Sequence, residues 1–212
     1  MLTTNKGKIE TEKLIIATGG VSFPQTGSDG KVFPLISKLG HRIIPARPAL
    51  CGLRTREDLG RLEGITVEKV LLKYKKTKRE GSLLFTHNGI SGPEILNLSR
   101  DIENEDTLEI SLSSFPPQDI FNLKGTMKAI KAPHEETALP LRLLEERLSW
   151  KDKKIGELTK KDSEEYRDKI HLWRPQVSTK GMMNSSMVTR GGVDTEEVDP
   201  KTFKSKLVPN LW

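Results

Sequence analysis

Ser82-Leu83-Leu84-Phe85-Thr86-His87-Asn88-Gly89-Ile90-Ser91-Gly92-Pro93-Glu94 is the stretch that decides the fold. Ser82 to Thr86 is a short apolar run with the composition of a buried strand, and His87 to Gly89 has the composition of a turn. Ser91, Pro93 and Glu94 then read as a helix start: a Ser N-cap, a Pro in the first turn and a Glu three residues after the cap, the capping-box arrangement. Ile95, Leu98 and Ile102 continue it as a buried stripe. Strand, loop and helix thus follow one another within about twenty residues. On the N-terminal side, Ile65, Val67, Val70, Leu72 and Tyr74 form an alternating run. It is joined to Gly81-Ser82 by the basic segment Lys73 to Arg79, which reads as the solvated turn of a hairpin rather than a phosphate-binding arm.

Working outward, Ala49 to Thr55 and Thr107 to Leu112 read as further strands, which makes the centre of the chain a β-rich domain. After Pro116-Pro117 the pattern becomes helical, from about Gln118 to Arg174. Leu141, Leu144 and Leu148 share one face, and Tyr166, Ile170 and Trp173 follow the capping pair Thr159 and Asp162. Pro175 closes this segment and strand-like sequence resumes at Val177. At the front of the chain, Leu14-Ile15-Ile16-Ala17 is an apolar run of the kind buried on both faces of a sheet. It ends at Thr18-Gly19-Gly20, and a helix over Val32, Leu35, Ile36 and Leu39 is closed by Gly40.

The fold class predicted from these patterns is α+β: a β-rich domain with an inserted small helical subdomain.

The 212 residues carry 35 Lys and Arg against 29 Asp and Glu, a net charge of +6. Hydrophobic residues make up 34%, enough for a core but below the globular average once glycine is added. No stretch approaches the roughly 20 apolar residues of a membrane span, and the opening residues lack the pattern of a secretory signal, so a cytoplasmic location is expected. The single cysteine, Cys51, excludes an internal disulfide, and the four histidines show no metal-ligand spacing. The Gly19-Gly20 and Gly27-Ser28-Asp29-Gly30 junction could approach a phosphate, but its spacing matches neither G-x-G-x-x-G nor a P-loop, and the turn glycines are equally explained by backbone conformation. Among the histidines, His87 is the candidate catalytic residue because it stands in the loop before the helix; the alternative is a His satisfied by neighbouring groups. His41 reads as a helix-end residue, and His134 and His171 lie in charged helical sequence. Cys51 and Ser185-Ser186 have no basic partner nearby in sequence.

Several blocks together resemble the BaiN-type flavoproteins, the NAD(FAD)-utilising dehydrogenases. They are Leu14 to Gly20 with Ser22 and Pro24, Thr26-Gly27-Ser28 with Gly30, Leu39-Gly40-His41, and Arg47-Pro48-Ala49-Leu50. Further along come Leu84-Phe85-Thr86-His87 with Gly89, Ser91-Gly92-Pro93, Gly191-Gly192-Val193, Asp199-Pro200-Lys201-Thr202 and Ser205-Lys206-Leu207. The resemblance runs nearly end to end. It implies that the β-rich part is a β-barrel-like domain carrying the inserted small helical subdomain and flanked by remnants of a doubly wound α/β domain, with divisions at 1–46 and 191–212 for the α/β remnants, 47–115 and 176–190 for the barrel, and 116–175 for the helical insert. It implies a FAD-dependent oxidoreductase in which Ala17, Thr18, Gly19, Gly20, Gly191 and Gly192 approach the cofactor, with Arg190 and Asn88 departing from the family's usual residues.

The same resemblance implies that a full member carries a G-x-G-x-x-G and a C-terminal flavin segment that this sequence lacks. The chain is therefore expected to be the insert or substrate-side portion, inactive and free of FAD on its own, and partnered by a missing FAD-binding half. The alternative is a non-enzymatic binding module for a small molecule, protein or nucleic acid. No membrane is expected, nucleic acid is disfavoured as a partner, and a small-molecule substrate is left unidentified.

Overall fold

A computed structural model of the chain describes residues 1–102, 105–122 and 127–212; the parts of the expected barrel at 103–104 and of the expected helical stretch at 123–126 lie outside the described residues. In chain order the elements are β1 (Leu2–Thr4), β2 (Gly7–Ile9), α1 (Phe33–Lys38), β3 (Ile43–Ala49), β4 (Leu53–Thr55), β5 (Thr66–Tyr74), β6 (Thr77–Thr86), β7 (Gly89–Ser91), α2 (Pro93–Ser99), β8 (Asp106–Thr107) and β9 (Glu109–Ser111). There follow α3 (Asp119–Asn122), α4 (Lys131–Thr137), α5 (Leu141–Arg147), α6 (Lys160–Tyr166), β10 (Gln176–Ser178) and β11 (Val188–Val193). The chain divides into two units, one made of Met1–Pro48 with Met183–Trp212 and the other of Ala49–Met182.

The larger unit is built on an antiparallel sheet of order β8-β10-β4-β7-β6-β5-β9. Its two outer strands are successive halves of one segment separated only by Leu108. Leu108 N donates to Pro175 O, and Ile110 and Trp173 exchange both backbone hydrogen bonds, while the same segment pairs on its other side with Leu71, Leu72 and Lys73. The order therefore runs round a nearly closed barrel, a topology that removes exposed sheet edges. β5 shows how the sequence pattern makes the wall. Val67, Val70, Leu72 and Tyr74 are buried, and the step of three between Val67 and Val70 falls at a bulge in the β5–β6 pairing that restores the alternation. Only Lys75, at φ 51°, and Lys76 form the hairpin tip; the rest of the basic segment expected in the turn, Lys73, Tyr74 and Thr77 to Arg79, continues the two strands in register.

The helix after the barrel hairpin begins one residue later than the capping-box reading places it. Ser91 is in β7, paired with Leu84, and the N-cap of α2 is Gly92 at φ 124°, with no side-chain cap. Gly92 passes so close to Ser82 O that a Cβ could not fit, which fixes glycine at the cap and keeps Ser91 in the ladder. Glu94 turns to Arg79 at 3.2 Å instead. The other capping pair forms as expected: Thr159 Oγ1 accepts from Asp162 N, and Thr159 N donates to the Asp162 carboxylate.

The helical stretch has no core set apart from the barrel. Leu143, Leu144, Trp150, Tyr166 and Ile170 belong to the same continuous hydrophobic cluster as Leu53, Leu72, Leu83, Phe85 and Ile110 of the strands. Trp173 stacks on Phe85 at 5.9 Å, and Arg147 lies 4.4 Å over the Trp173 ring. Glu57 ties both down, accepting from Arg147 at 3.3 Å and from Trp173 Nε1 at 2.9 Å. Leu143, which the one-face reading omits, is fully buried because α5 is packed on more than one side.

In the smaller unit, β1 and β2 form a hairpin and β3 pairs with β11. The Leu14–Ala17 run is not a strand buried on both faces. It makes a parallel bridge to Leu211, with Ile16 N donating to Trp212 O at 2.7 Å, and Ile15 remains 74% exposed because nothing among the described residues covers that side.

Candidate functional site

The cofactor candidates Ala17, Thr18, Gly19, Gly20, Gly191 and Gly192 all lie in the smaller unit, on the segment leaving Leu14–Ile16 and on β11. Ala17 to Gly19 are exposed. Gly20 is pressed against the returning chain: a Cβ there would stand 2.5 Å from Thr189 Oγ1. That hydroxyl accepts from Val21 N at 2.9 Å and from Ser22 N at 3.0 Å, while Ser22 Oγ lies 3.0 Å from both Thr189 Oγ1 and Ser186 Oγ. Gly191 is equally constrained, since a Cβ would meet Pro45 O at 2.5 Å across the β3–β11 pairing. Gly192 holds φ 102° with only the Phe33 ring in ordinary contact. The chain's own packing thus accounts for Gly20 and Gly191.

His41 is not an exposed helix-end residue. It is buried, its Nδ1 3.0 Å from Glu197 Oε2 and its Nε2 2.9 Å from Ser205 Oγ, beside a cavity of about 230 Å³ lined by Ile36, Phe203 and Trp212. An acid, a His and a Ser in a row is the order of a nucleophilic triad. Here the serine is spent on structure: Oγ accepts from Leu207 N at 3.1 Å and Val208 N at 2.8 Å, and the amides of Ser205 and Lys206 are bonded to Leu211 O and Glu197 O. No amide of this loop is left to stabilise an oxyanion. Ser205→Ala would leave the buried ring nitrogen of His41 without its partner and return the more exposed amides of Leu207 and Val208 to water, so it is expected to cost about 1 to 2 kcal/mol in urea unfolding; a loss below about 0.5 kcal/mol would show that the row carries no structural load.

In the larger unit, His87 occupies the turn between β6 and β7, with its Nδ1 3.3 Å from Glu63 Oε2 and both side chains largely exposed. Cys51 is buried, which pushes its thiol pKa up and makes it a poor nucleophile. His134 Nδ1 and His171 Nδ1 sit 2.6 Å and 3.1 Å from the carbonyls of Leu139 and Ser113. Among the described residues no group of three His, Cys, Asp or Glu could hold a metal ion, and no helix is long and apolar enough to cross a membrane. The two networks centred on Thr189 and His41 escape sequence reading because their partners are more than 150 residues apart in the chain. The local signal is that Ser22, His41 and Ser205 fall inside the blocks that carry the resemblance.

A family model described as "HI0933-like protein Rossmann domain" matches residues 1–212. The chain belongs to the HI0933-like family. That family is a FAD-binding Rossmann family, which is the resemblance seen in the Ala-Thr-Gly-Gly and Ser-Gly-Pro blocks. Over its whole length this HI0933-like chain is 30% identical to a protein of Escherichia coli (strain K12) named ribosomal RNA dihydrouridine synthase, of which it covers 55%. It is 28% identical, with the same coverage, to the protein of that name from Haemophilus influenzae. A 100-residue stretch, 45% of the chain and 24% of the relative, is 28% identical to the 3-dehydro-bile acid delta(4,6)-reductase of Clostridium scindens. The chain thus spans about half the length of the curated relatives that it matches from end to end.

Proposed function

We propose that this chain is the barrel-bearing, substrate-side portion of a FAD-dependent oxidoreductase that reduces uridine to dihydrouridine in ribosomal RNA. One observation carries the reading: the two dihydrouridine synthases match the chain over all of its residues. The third relative supports the same reaction class, since its name also describes a reductase. Sequence reading alone disfavours nucleic acid as a partner; the names of the relatives favour it.

In this reading the FAD is held largely by residues other than these 212, on a partner or in continuous sequence, and the chain alone neither retains flavin nor turns over. The tight seating of Gly20 and Gly191 against Thr189 and Pro45 supports that view, because space a cofactor would need is already filled. His87 is a candidate for the substrate side, and the helical stretch between β9 and β10 is an insert in topology that shares the barrel's core. The location proposed is cytoplasmic, where ribosomal RNA is.

The test replaces the matching segment of the Escherichia coli relative with this chain in a strain lacking that enzyme and measures dihydrouridine in ribosomal RNA. Restored dihydrouridine is the expected result; a folded, flavin-loaded chimera that leaves the RNA unmodified would overturn the reading.

A further inference from the structure

The outer wall of the barrel carries a feature that packing does not explain. Lys73 of β5 and Lys78 of β6 are directly opposite each other in the hairpin ladder, and both are exposed. Like charges at opposed positions destabilise a strand pair, so this juxtaposition calls for an anionic partner. Lys73 reaches Glu109 only at 3.5 Å, and the Glu109 carboxylate is shared with Arg174, which approaches it at 3.0 and 3.1 Å. The two lysines, with Lys69, border a groove of about 520 Å³ on the β5, β6 and β9 wall. Leu71, 47% exposed, and His171 also line the groove, offering an apolar surface and a ring beside the cations. Glu80 and Glu109 are the acidic residues of the groove. With Lys69, Lys73, Lys78 and the neighbouring Arg174 set against them, cations exceed carboxylates. Past the groove, Lys75 and Lys76 continue the positive run round the hairpin tip.

Building on the ribosomal RNA reading above, we propose that this groove is the docking surface for the phosphate backbone of the substrate RNA, with Lys69, Lys73 and Lys78 on successive phosphates. The contact is positioning and independent of base sequence, because lysine ammonium groups meet phosphates as point charges. Its signature is salt dependence. Each phosphate neutralised contributes about 0.7 to 0.9 to the slope of log affinity against log salt, so three lysines account for about 2 to 3 of that slope.

The test uses the 212-residue chain and a short fluorescein-labelled RNA hairpin, with affinity read by anisotropy from about 50 to 200 mM salt. The variant is K69Q/K73Q/K78Q and the control is K131Q/K151Q/K160Q, exposed lysines elsewhere on the same unit. The expected result is a Kd raised about tenfold or more at the lower salt, with the slope reduced by about 2 to 3 in the first variant and the first variant binding more weakly than the control. K69Q/K73Q/K78Q, which removes the opposed like charges, should unfold at a temperature no lower than the parent, and K78Q alone, which leaves the Lys73–Glu109 contact intact, should show a partial loss of the slope. Equal slopes in the two triple variants would overturn the groove assignment while leaving RNA as the partner. No RNA binding by the parent chain at any of these salt concentrations would instead overturn the RNA reading on which the groove rests, and RNA binding whose affinity does not change with salt would exclude a phosphate contact.

Discussion

Joining Phe115 to Gln176 through a short Gly/Ser linker is expected to give a chain that does not fold cooperatively. Pro116-Pro117 at one end of this segment and Pro175 at the other mark what looks, in sequence, like a removable unit. The packing argues otherwise. The deletion would take Leu143, Leu144, Trp150, Tyr166 and Ile170, all with essentially no exposed surface, out of the cluster that fills the barrel. It would also remove Trp173 and Pro175, whose backbone groups pair with Ile110 and Leu108 and close the sheet. Truncating one large buried side chain costs about 2 to 5 kcal/mol, and a domain's whole stability is about 5 to 15 kcal/mol, so losing five such residues and a strand pairing exceeds what the remainder can supply. Near-ultraviolet circular dichroism and urea unfolding would read this directly. A soluble product with a sharp, cooperative transition would mean that the strands carry a sufficient core without the helices.

Gly89→Ala is expected to cost about 3 kcal/mol or more, an effect at the upper end for one added methyl. A Cβ at Gly89 would collide with Leu53 O and would stand 2.9 Å from both Arg54 Cα and Thr55 N. All three are backbone atoms of β4 and the residue where it ends, so no side-chain rotation can relieve the clash, and β4 must leave β7. That breaks the Leu53–Ile90 and Arg54–Gly89 register in the middle of the barrel order. Gly156→Ala is the matched control, since nothing lies within 4 Å of the added methyl there, and it should change stability by no more than about 0.5 kcal/mol. Comparable losses for the two variants in urea unfolding would contradict the close approach at Gly89.

What sequence reveals here is what depends on neighbours within a few residues. The alternation of Val70, Leu72 and Tyr74, the Thr159 to Asp162 cap and the buried Ile95 and Leu98 of α2 are local patterns found in the structure, while the hairpin tip narrows to Lys75 and Lys76 and the buried Ile102 lies past the end of α2. The Ser91 cap misses by one residue because the deciding contact is Gly92 against Ser82 O in another strand. Barrel closure is invisible for the same reason: it depends on Ile110 meeting Trp173, and the helical stretch between them disguises the return as a separate unit.

The candidate site divides likewise. Glycines at Gly20 and Gly191 are readable as positions of close approach, but that Thr189 and Pro45 are what they approach is not. His41 lies beside a helix end in sequence, and only the fold brings Glu197 and Ser205 to its two nitrogens.

The chain belongs to a FAD-binding family, and in the proposed function it does not retain the cofactor by itself. The most direct measurement is the flavin content of the purified chain, followed by titration with FAD monitored by visible absorbance and flavin fluorescence. The account predicts a colourless protein, monodisperse and folded, that shows no saturable change on titration. A yellow protein carrying stoichiometric FAD would contradict it, and would move the cofactor's main contacts onto the Ala17 to Gly20 segment and β11.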